Sequence, residues 1–323
     1  MIRTAASATS RAAIASVATA LFLLALKAYA LAATSSVAML GSLADSGLDL
    51  VAALVTLWAV RVAALPADHD HRFGHGKAEA LAALFQVGLI AASAVAIVWS
   101  AVDRLFVGSP PAEPEHGIAV SLVAVAATYV LTAYQRRVIR ETGSVAIRAD
   151  RAHYQSDLVL NGAVIAALAL ESYAGLTGVD PVFGLGIAAW LAWNAAQAAG
   201  EAVHQLMDRE WPEERRRRFI EISMRHPANH GTHDLRTRTS GSAEFAQFHM
   251  WVDPAMTVAQ AHDVLEEIEA ELAREFPGVD VLIHVDPEGQ VDQPGNPLVE
   301  TIETFEVPAL GKQPGRRPLF RRK

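Results

Sequence analysis

The sequence predicts a membrane protein in two parts: an all-α part of six transmembrane helices, then a small α+β domain with the element order α-β-β-α-β. Three observations carry this. Hydrophobic residues make up 52% of the 323 residues and charged residues only 19%, against about 25% charge in an ordinary soluble chain. The apolar residues gather in six Ala-, Leu- and Val-rich runs, at 12–33, 36–62, 80–102, 117–134, 158–176 and 181–203. Each is near the roughly 20 residues that cross about 30 Å of hydrocarbon as a helix. After about Asp208 the character changes: between 208 and 290, 17 acidic residues face 9 basic ones, which accounts for the net charge of −8.

The six runs hold more Ala than Leu, and small residues let neighbouring helices approach closely. Buried helices of a large soluble protein are the alternative, but six such runs in succession are rare in a soluble core. The first run continues without a cleavage pattern, so no removable signal peptide is expected. Lys and Arg set the orientation. Arg3 and Arg11 precede the first run, Arg61, Arg72 and Lys77 lie between the second and third, and Arg136, Arg137, Arg140, Arg148 and Arg151 lie between the fourth and fifth. The opposite loops carry Arg104 and little else. Both termini are therefore expected on the cytoplasmic side, with residues 1–207 as the transmembrane domain.

Residues 208–290 read as a soluble domain. Trp211-Pro212-Glu213-Glu214 starts a helix reaching about His226. Residues 235–238 and 245–252 alternate as strands about Ser240-Gly241-Ser242. Thr257 caps a helix over 258–275, with Val258, Ala261, Val264, Leu265, Ile268 and Leu272 on one stripe. Pro277-Gly278 stops it, and 279–285 forms a third strand. Residues 291–323 hold five Pro and a basic end, the composition of a disordered tail; contact with anionic lipid is a weaker reading of the same basic residues.

Zero cysteines exclude disulfides, thiolate catalysis and Cys-type zinc or iron–sulfur sites. The acidic balance argues against a nucleic-acid partner, because neutralising phosphates needs a basic surface. What stands out is charge inside apolar runs. Asp45 and Asp49, four apart, share one helical face, and His153 and Asp157 repeat that spacing. Ionisable groups within a span are costly and usually mark an ion pathway. Clustered carboxylates repel one another unless a cation lies among them. Three carboxylates and one imidazole supply four tetrahedral positions, which suits Zn²⁺; Cd²⁺, Fe²⁺, Co²⁺ or Mn²⁺ would also bind. Pairing with Lys27 is the bland alternative, although one lysine cannot compensate three carboxylates. Asn161 follows Asp157 by four, either as a supporting group or as a helix–helix hydrogen bond.

Two further clusters lie outside the runs. Asp68, His69, Asp70, His71 and His75 crowd eight residues, as a local metal site or a solvated loop. In the soluble domain, His249, His284 and Asp286 fall on or just after strands, and His233 just before one. His284 and Asp286 point to the same face, as convergent ligands or as scattered surface groups.

The chain resembles the cation diffusion facilitator family of zinc and iron exporters, particularly its bacterial ferrous-iron/zinc efflux branch, from about residue 11 to residue 287. The matching strings are Asp45-x-x-x-Asp49, Pro66-Ala67-Asp68, Phe73-Gly74-His75-Gly76-Lys77-Ala78-Glu79, His153-Tyr154-Gln155-Ser156-Asp157, His233-Asp234-Leu235-Arg236-Thr237-Arg238 and Ile283-His284-x-Asp286-Pro287. The resemblance implies a transport site of Asp45, Asp49, His153 and Asp157, and a loop site of Asp68, His71 and His75. It also implies a cytoplasmic two-metal site of His233, His249, His262, His284 and Asp286, with Asp286 able to bridge. It further implies a metallochaperone-like fold for the cytoplasmic domain, a homodimer with Lys77 and Asp208 in a charge interlock, and residence in the bacterial inner membrane. His69 and Asp70 fall outside the family's ligand pattern.

The function expected on this basis is efflux of Zn²⁺, with Cd²⁺ and Fe²⁺, as a metal/proton antiporter working by alternating access. Zn²⁺ would be both substrate and a structural or regulatory ion. Fe²⁺ or Mn²⁺ as the main cargo, and a membrane metal sensor without transport, are the alternatives. A metalloenzyme is disfavoured, since no His-Glu-x-x-His helix occurs.

Overall fold

The computed structural model describes residues 2–34, 37–107, 118–174 and 179–288. The expected tail at 291–323 and the Asn161 side chain lie outside the described residues. The chain divides into two compact units, changing over near Arg209.

The N-terminal unit consists of long helices: α1 (Ile2–Thr34), α2 (Val37–Ala63), α3 (Ala78–Val107), α4 (Ile118–Thr142), α5 (Val145–Ala174) and α6 (Val179–Leu206). Among the described residues, the stretches Ser7–Ala32, Asp45–Ala63 and Ala78–Asp103 are long and apolar enough to cross a membrane. Alanine decides how the helices meet. Ala12, Ala13, Ala59, Ala82 and Ala146 are buried in one contact cluster, and Ala80, Ala83, Ala149 and Ala202 form another. A side chain of one carbon lets backbones pack closely where lipid gives no hydrophobic drive. The bulky apolar groups face outward instead: Phe22, Trp58, Trp99 and Val130 are exposed.

The helices run past the ends of the apolar runs. Arg136, Arg137 and Arg140 lie in α4 and Arg148 and Arg151 in α5, so the basic segment expected as a loop is helical on both sides of Gly143-Ser144. Counting hydrocarbon length finds the apolar part of a helix, not its ends. Gly143 stops α4 in the left-handed conformation (φ +66°), and its N–H donates to the Ile139 carbonyl at 2.8 Å. Ser144 then caps α5: its hydroxyl accepts from the Ile147 N–H (3.3 Å) and donates to the buried Glu79 of α3 (2.5 Å). Glu79 also accepts the N–H groups of Val145 and Ala146, so the free donors of the first turn of α5 are satisfied by a carboxylate from α3.

The C-terminal unit has the expected order: α7 (Glu213–Ser223), β1 (Gly231–Ser240), β2 (Ala243–Val252), α8 (Val258–Glu275) and β3 (Val279–Pro287). The sheet order is β1-β2-β3. β2 and β3 pair in parallel, with His249 opposite His284 and Trp251 opposite Asp286. Parallel strands need a crossover, and α8 supplies it. Thr257 and Gln260 close a capping box at its start. Phe219, Ile222, Phe248, Met250, Ile268 and Leu272 form the fully buried core. Alternation along β2 sends Phe248, Met250 and Val252 to that core and His249 and Trp251 to the opposite face. The helix before β1 ends at Ser223 rather than near His226; Pro227 disfavours helical geometry in the residue before it.

Candidate metal centres

Among the described residues, three clusters of potential ligands form, each with donor atoms within 4.8 Å of one another: Asp49, His153 and Asp157; Asp68, His71 and His75; and His233, His249 and Asp286.

The first lies between α2 and α5. His153 Nε2 is 2.9 Å from Asp49 Oδ1, and both side chains are buried. Asp157, one turn beyond His153, completes the group. Asp45, one turn before Asp49 on α2, is exposed and stays outside this set of three. Lys27 of α1 acts electrostatically on both Asp45 and Asp157. Three donors no more than 4.8 Å apart leave a point within about 2.8 Å of all of them. A contraction of at most about 0.6 Å would bring that to the roughly 2.0–2.2 Å of zinc–oxygen and zinc–nitrogen bonds.

The loop cluster is organised by Asp68. Its Oδ1 accepts the backbone N–H groups of His71 (2.7 Å) and Asp70 (3.0 Å) and lies 3.3 Å from His71 Nδ1. Its Oδ2 is 3.2 Å from His75 Nε2. The backbone N–H of His71, with smaller help from Asp70 and the two imidazoles, holds the Asp68 carboxyl below the usual carboxylate range. Gly74, at φ +78°, turns the chain so that the His71 and His75 rings approach to 4.5 Å. Two residues later, Lys77 Nζ reaches the Leu206 carbonyl (3.2 Å) and the Asp208 carboxylate (3.0 Å), closing the end of α6. A cation is favoured at a helix C-terminus.

The third cluster gathers on the sheet face away from the core. One carboxylate, Asp286, meets three imidazoles: His249 Nδ1 at 2.9 Å, His284 Nε2 at 3.3 Å and His233 Nε2 at 3.4 Å. The in-register pairing of His249 and His284 brings their rings to 4.5 Å. His233 joins through a break in alternation. Asp234 takes a left-handed φ of +48°, a conformation that Asp tolerates better than most residues. Leu235 can then enter the core while the His233 ring packs on Trp251 at 4.5 Å. His262 is not brought in: it sits on the exposed side of α8, 3.4 Å from Glu266 of its own helix. Burying Ile268 and Leu272 turns that side of α8 outward. His69 and Asp70 are exposed and belong to none of the three groups.

Sequence reasoning missed Asp150. It is fully buried on α5, three residues before His153 and seven before Asp157. That spacing puts it on the ligand-bearing face, and it was the available signal.

Comparison with known proteins covers most of the chain. Residues 13–207 match the cation efflux transmembrane domain, and residues 211–288 match the cytoplasmic domain of cation efflux proteins. The cation-efflux pump FieF of Citrobacter koseri is 44% identical over 286 residues, covering 88% of this chain and 95% of that protein. FieF of Pectobacterium atrosepticum is 42% identical over 282 residues, covering 87% and 94%. A solved chain of CzrB in a Zn form is 35% identical over 27% of this chain and 99% of that chain, with a TM-score of 0.24.

Proposed function

Because this chain belongs to the cation efflux, or cation diffusion facilitator, family, we propose that it exports divalent metal cations, Zn²⁺ foremost and Cd²⁺ and Fe²⁺ as well, in exchange for protons. The observation that carries this reading is the Asp49–His153–Asp157 group between α2 and α5, with Asp49 and His153 buried and Asp157 partly so. A helical interior has no use for two carboxylates and an imidazole packed together unless a cation resolves their repulsion. Nitrogen and oxygen donors at this separation suit Zn²⁺ and its neighbours in the first transition row. Asp45, one turn away, is the fourth donor once an ion is present. The imidazole tilts the selection from harder, all-oxygen ions such as Mn²⁺ toward Zn²⁺ and Cd²⁺.

The substrate ion enters from the cytoplasm, the helices rock, and the same site opens outward. Protons compete with the ion for the same lone pairs, so an acidic exterior favours release. In this reading residues 1–207 form six spans in the inner membrane with both termini cytoplasmic. Residues 208–290 form a cytoplasmic domain that joins two copies of the chain. Zn²⁺ at the Asp286 cluster, with His284 and a displaced His262 as further ligands, would stabilise one dimer arrangement, a shift of population rather than a transport step. The Asp68 cluster is a local binding site, and the Lys77–Asp208 pair steadies the dimer. The charge balance leaves no nucleic-acid role, and the reading involves no catalysis.

The test is flux in proteoliposomes under a proton gradient. Asp49→Ala and Asp157→Ala should each abolish Zn²⁺ uptake; normal uptake in either would sink the site. Zn²⁺ binding without flux in the unmutated chain would instead identify a sensor. Competition among Zn²⁺, Cd²⁺, Fe²⁺ and Mn²⁺ identifies the cargo.

A further inference from the structure

Between the ligand cluster and the α4–α5 turn lies a polar assembly with no place in the transport site. Asp150 is wholly buried and collects three side-chain donors from three helices. Ser16 of α1 donates its hydroxyl to Oδ2 at 2.6 Å, Gln135 of α4 donates Nε2 to Oδ2 at 2.7 Å, and Gln86 of α3 donates Nε2 to Oδ1 at 3.0 Å. Gln135 also donates to Ser16 Oγ (3.0 Å), and the Tyr154 hydroxyl of α5 donates to the Ser16 carbonyl (3.3 Å). Gln86 carries the connection onward, donating to Thr56 Oγ1 of α2 at 3.1 Å. Ser16, Thr56, Gln86 and Gln135 are all fully buried. One carboxylate thus ties α5 to α1, α3 and α4 directly and to α2 through Gln86.

The placement relates this hub to the ligands. At 100° and about 1.5 Å per residue, Asp150 lies about 4.5 Å before His153 along α5, with His153 about 60° and Asp157 about 20° away around the axis. On α2, Thr56 and Asp49 are seven apart and about 20° from one another. The two helices that carry the ligands therefore face each other in two successive layers. One is Asp49 against His153; the other is Thr56, Gln86 and Asp150. The packing around them is largely alanine. Small apolar faces set how closely helices approach but fix rotation and sliding weakly. Buried hydrogen bonds fix both, since each lost partner leaves a polar group stranded.

We infer that Asp150 is a positioning residue: with Gln86, Gln135, Ser16 and Thr56 it sets the rotation of α5 against α2, so that His153 and Asp157 reach the ion held by Asp49. This rests on the proposed transport site. Asp150 acts through hydrogen-bond geometry, not as an ion ligand. The amide oxygens of Gln86 and Gln135 have no partner among the described residues. An asparagine at position 150 could therefore be accommodated by reversing whichever one of those amides faces its new NH₂ group, whereas a leucine could not.

The experiment measures Zn²⁺ transport in proteoliposomes, and Zn²⁺ affinity by calorimetry on the full chain, for Thr56→Val, Asp150→Asn and Asp150→Leu. All are placed in a background carrying Asp68→Ala and Asp286→Ala, so that only the helical site binds. Thr56→Val cuts only the link to α2 and should raise KM and Kd about fivefold to tenfold, the worth of one buried hydrogen bond, with kcat within about twofold. Asp150→Leu should raise both by more than tenfold, and Asp150→Asn should stay within about threefold. If Asp150→Leu does not fold, Thr56→Val and Asp150→Asn still decide. Unchanged KM and Kd in Thr56→Val, with only the thermal midpoint lowered, would reduce the hub to a structural role and overturn the inference. Asp150→Asn that binds Zn²⁺ normally but does not transport would overturn it too, by making the charge itself the essential property. Absence of flux in the unmutated chain would count against the transport reading alone, since the affinities still test the positioning.

Discussion

Asp286→Asn isolates what one carboxylate does among three imidazoles. The change keeps size and shape but removes the charge and one of the two accepting oxygens. His249 at 2.9 Å and His233 at 3.4 Å share one of those oxygens and His284 lies 3.3 Å from the other, so all three imidazoles lose the common negative charge and one side of the cluster loses its acceptor. Removing even a supporting residue of a metal site typically weakens binding about 10- to 100-fold, and a direct ligand should reach the upper figure. At a free Zn²⁺ concentration 100 times the dissociation constant, binding stabilises the folded domain by about 2.7 kcal/mol. Amides that exchange only when the domain opens then slow about 100-fold. After a 100-fold loss of affinity the same Zn²⁺ concentration equals the new constant, and the slowing falls to about twofold. Hydrogen exchange of the full chain, read by mass spectrometry in peptides covering β2 and β3, measures both numbers. Equal slowing by Zn²⁺ in the Asp286→Asn and unmutated proteins would refute the assignment of Asp286 as the shared ligand.

Other consequences follow from single contacts. Gly231→Ala would bring a Cβ within 2.6 Å of Trp251 Cε3, on the ring that packs against His233. Overpacking of this kind costs about 1–3 kcal/mol, so the domain's thermal midpoint should fall and its Zn²⁺ affinity with it, both read by calorimetry. Lys77→Ala removes a half-exposed ion pair together with a cap on the end of α6. Solvent screening limits the loss to about 1 kcal/mol or less, seen as a small drop in midpoint that added salt in the unmutated protein should partly reproduce. The Asp68 carboxyl is held low by the His71 N–H. Its stabilisation of the loop is therefore complete above the ordinary aspartate value of about 3.9 and is lost as pH falls through the lowered one. Amide protection at Asp70 and His71, corrected for intrinsic exchange, should stay level from neutral pH to about pH 5 and drop below about pH 4.

Periodicity was enough to read much of this protein from its residues. The apolar runs marked the helices, and Thr257, the stripe through Ile268 and Leu272 and the Pro277-Gly278 stop marked α8 to the residue. Four-residue spacing put Asp49's neighbours and the His153–Asp157 pair on defined faces, because a helix repeats locally whatever surrounds it. What lay beyond local spacing was the meeting of faces. That His153 approaches Asp49 while Asp45 stays outside depends on the rotation of α5 against α2, a relation between residues 104 positions apart. That His233 leaves the core side of β1 depends on one left-handed aspartate, and that His262 points away depends on which side of α8 the sheet buries. The Asp150 hub was hidden most completely. A serine, a threonine, two glutamines and an aspartate scattered from position 16 to position 150 show no pattern along the chain. Only packed helices could place them around one carboxylate, where the loss of water makes each hydrogen bond decide an orientation.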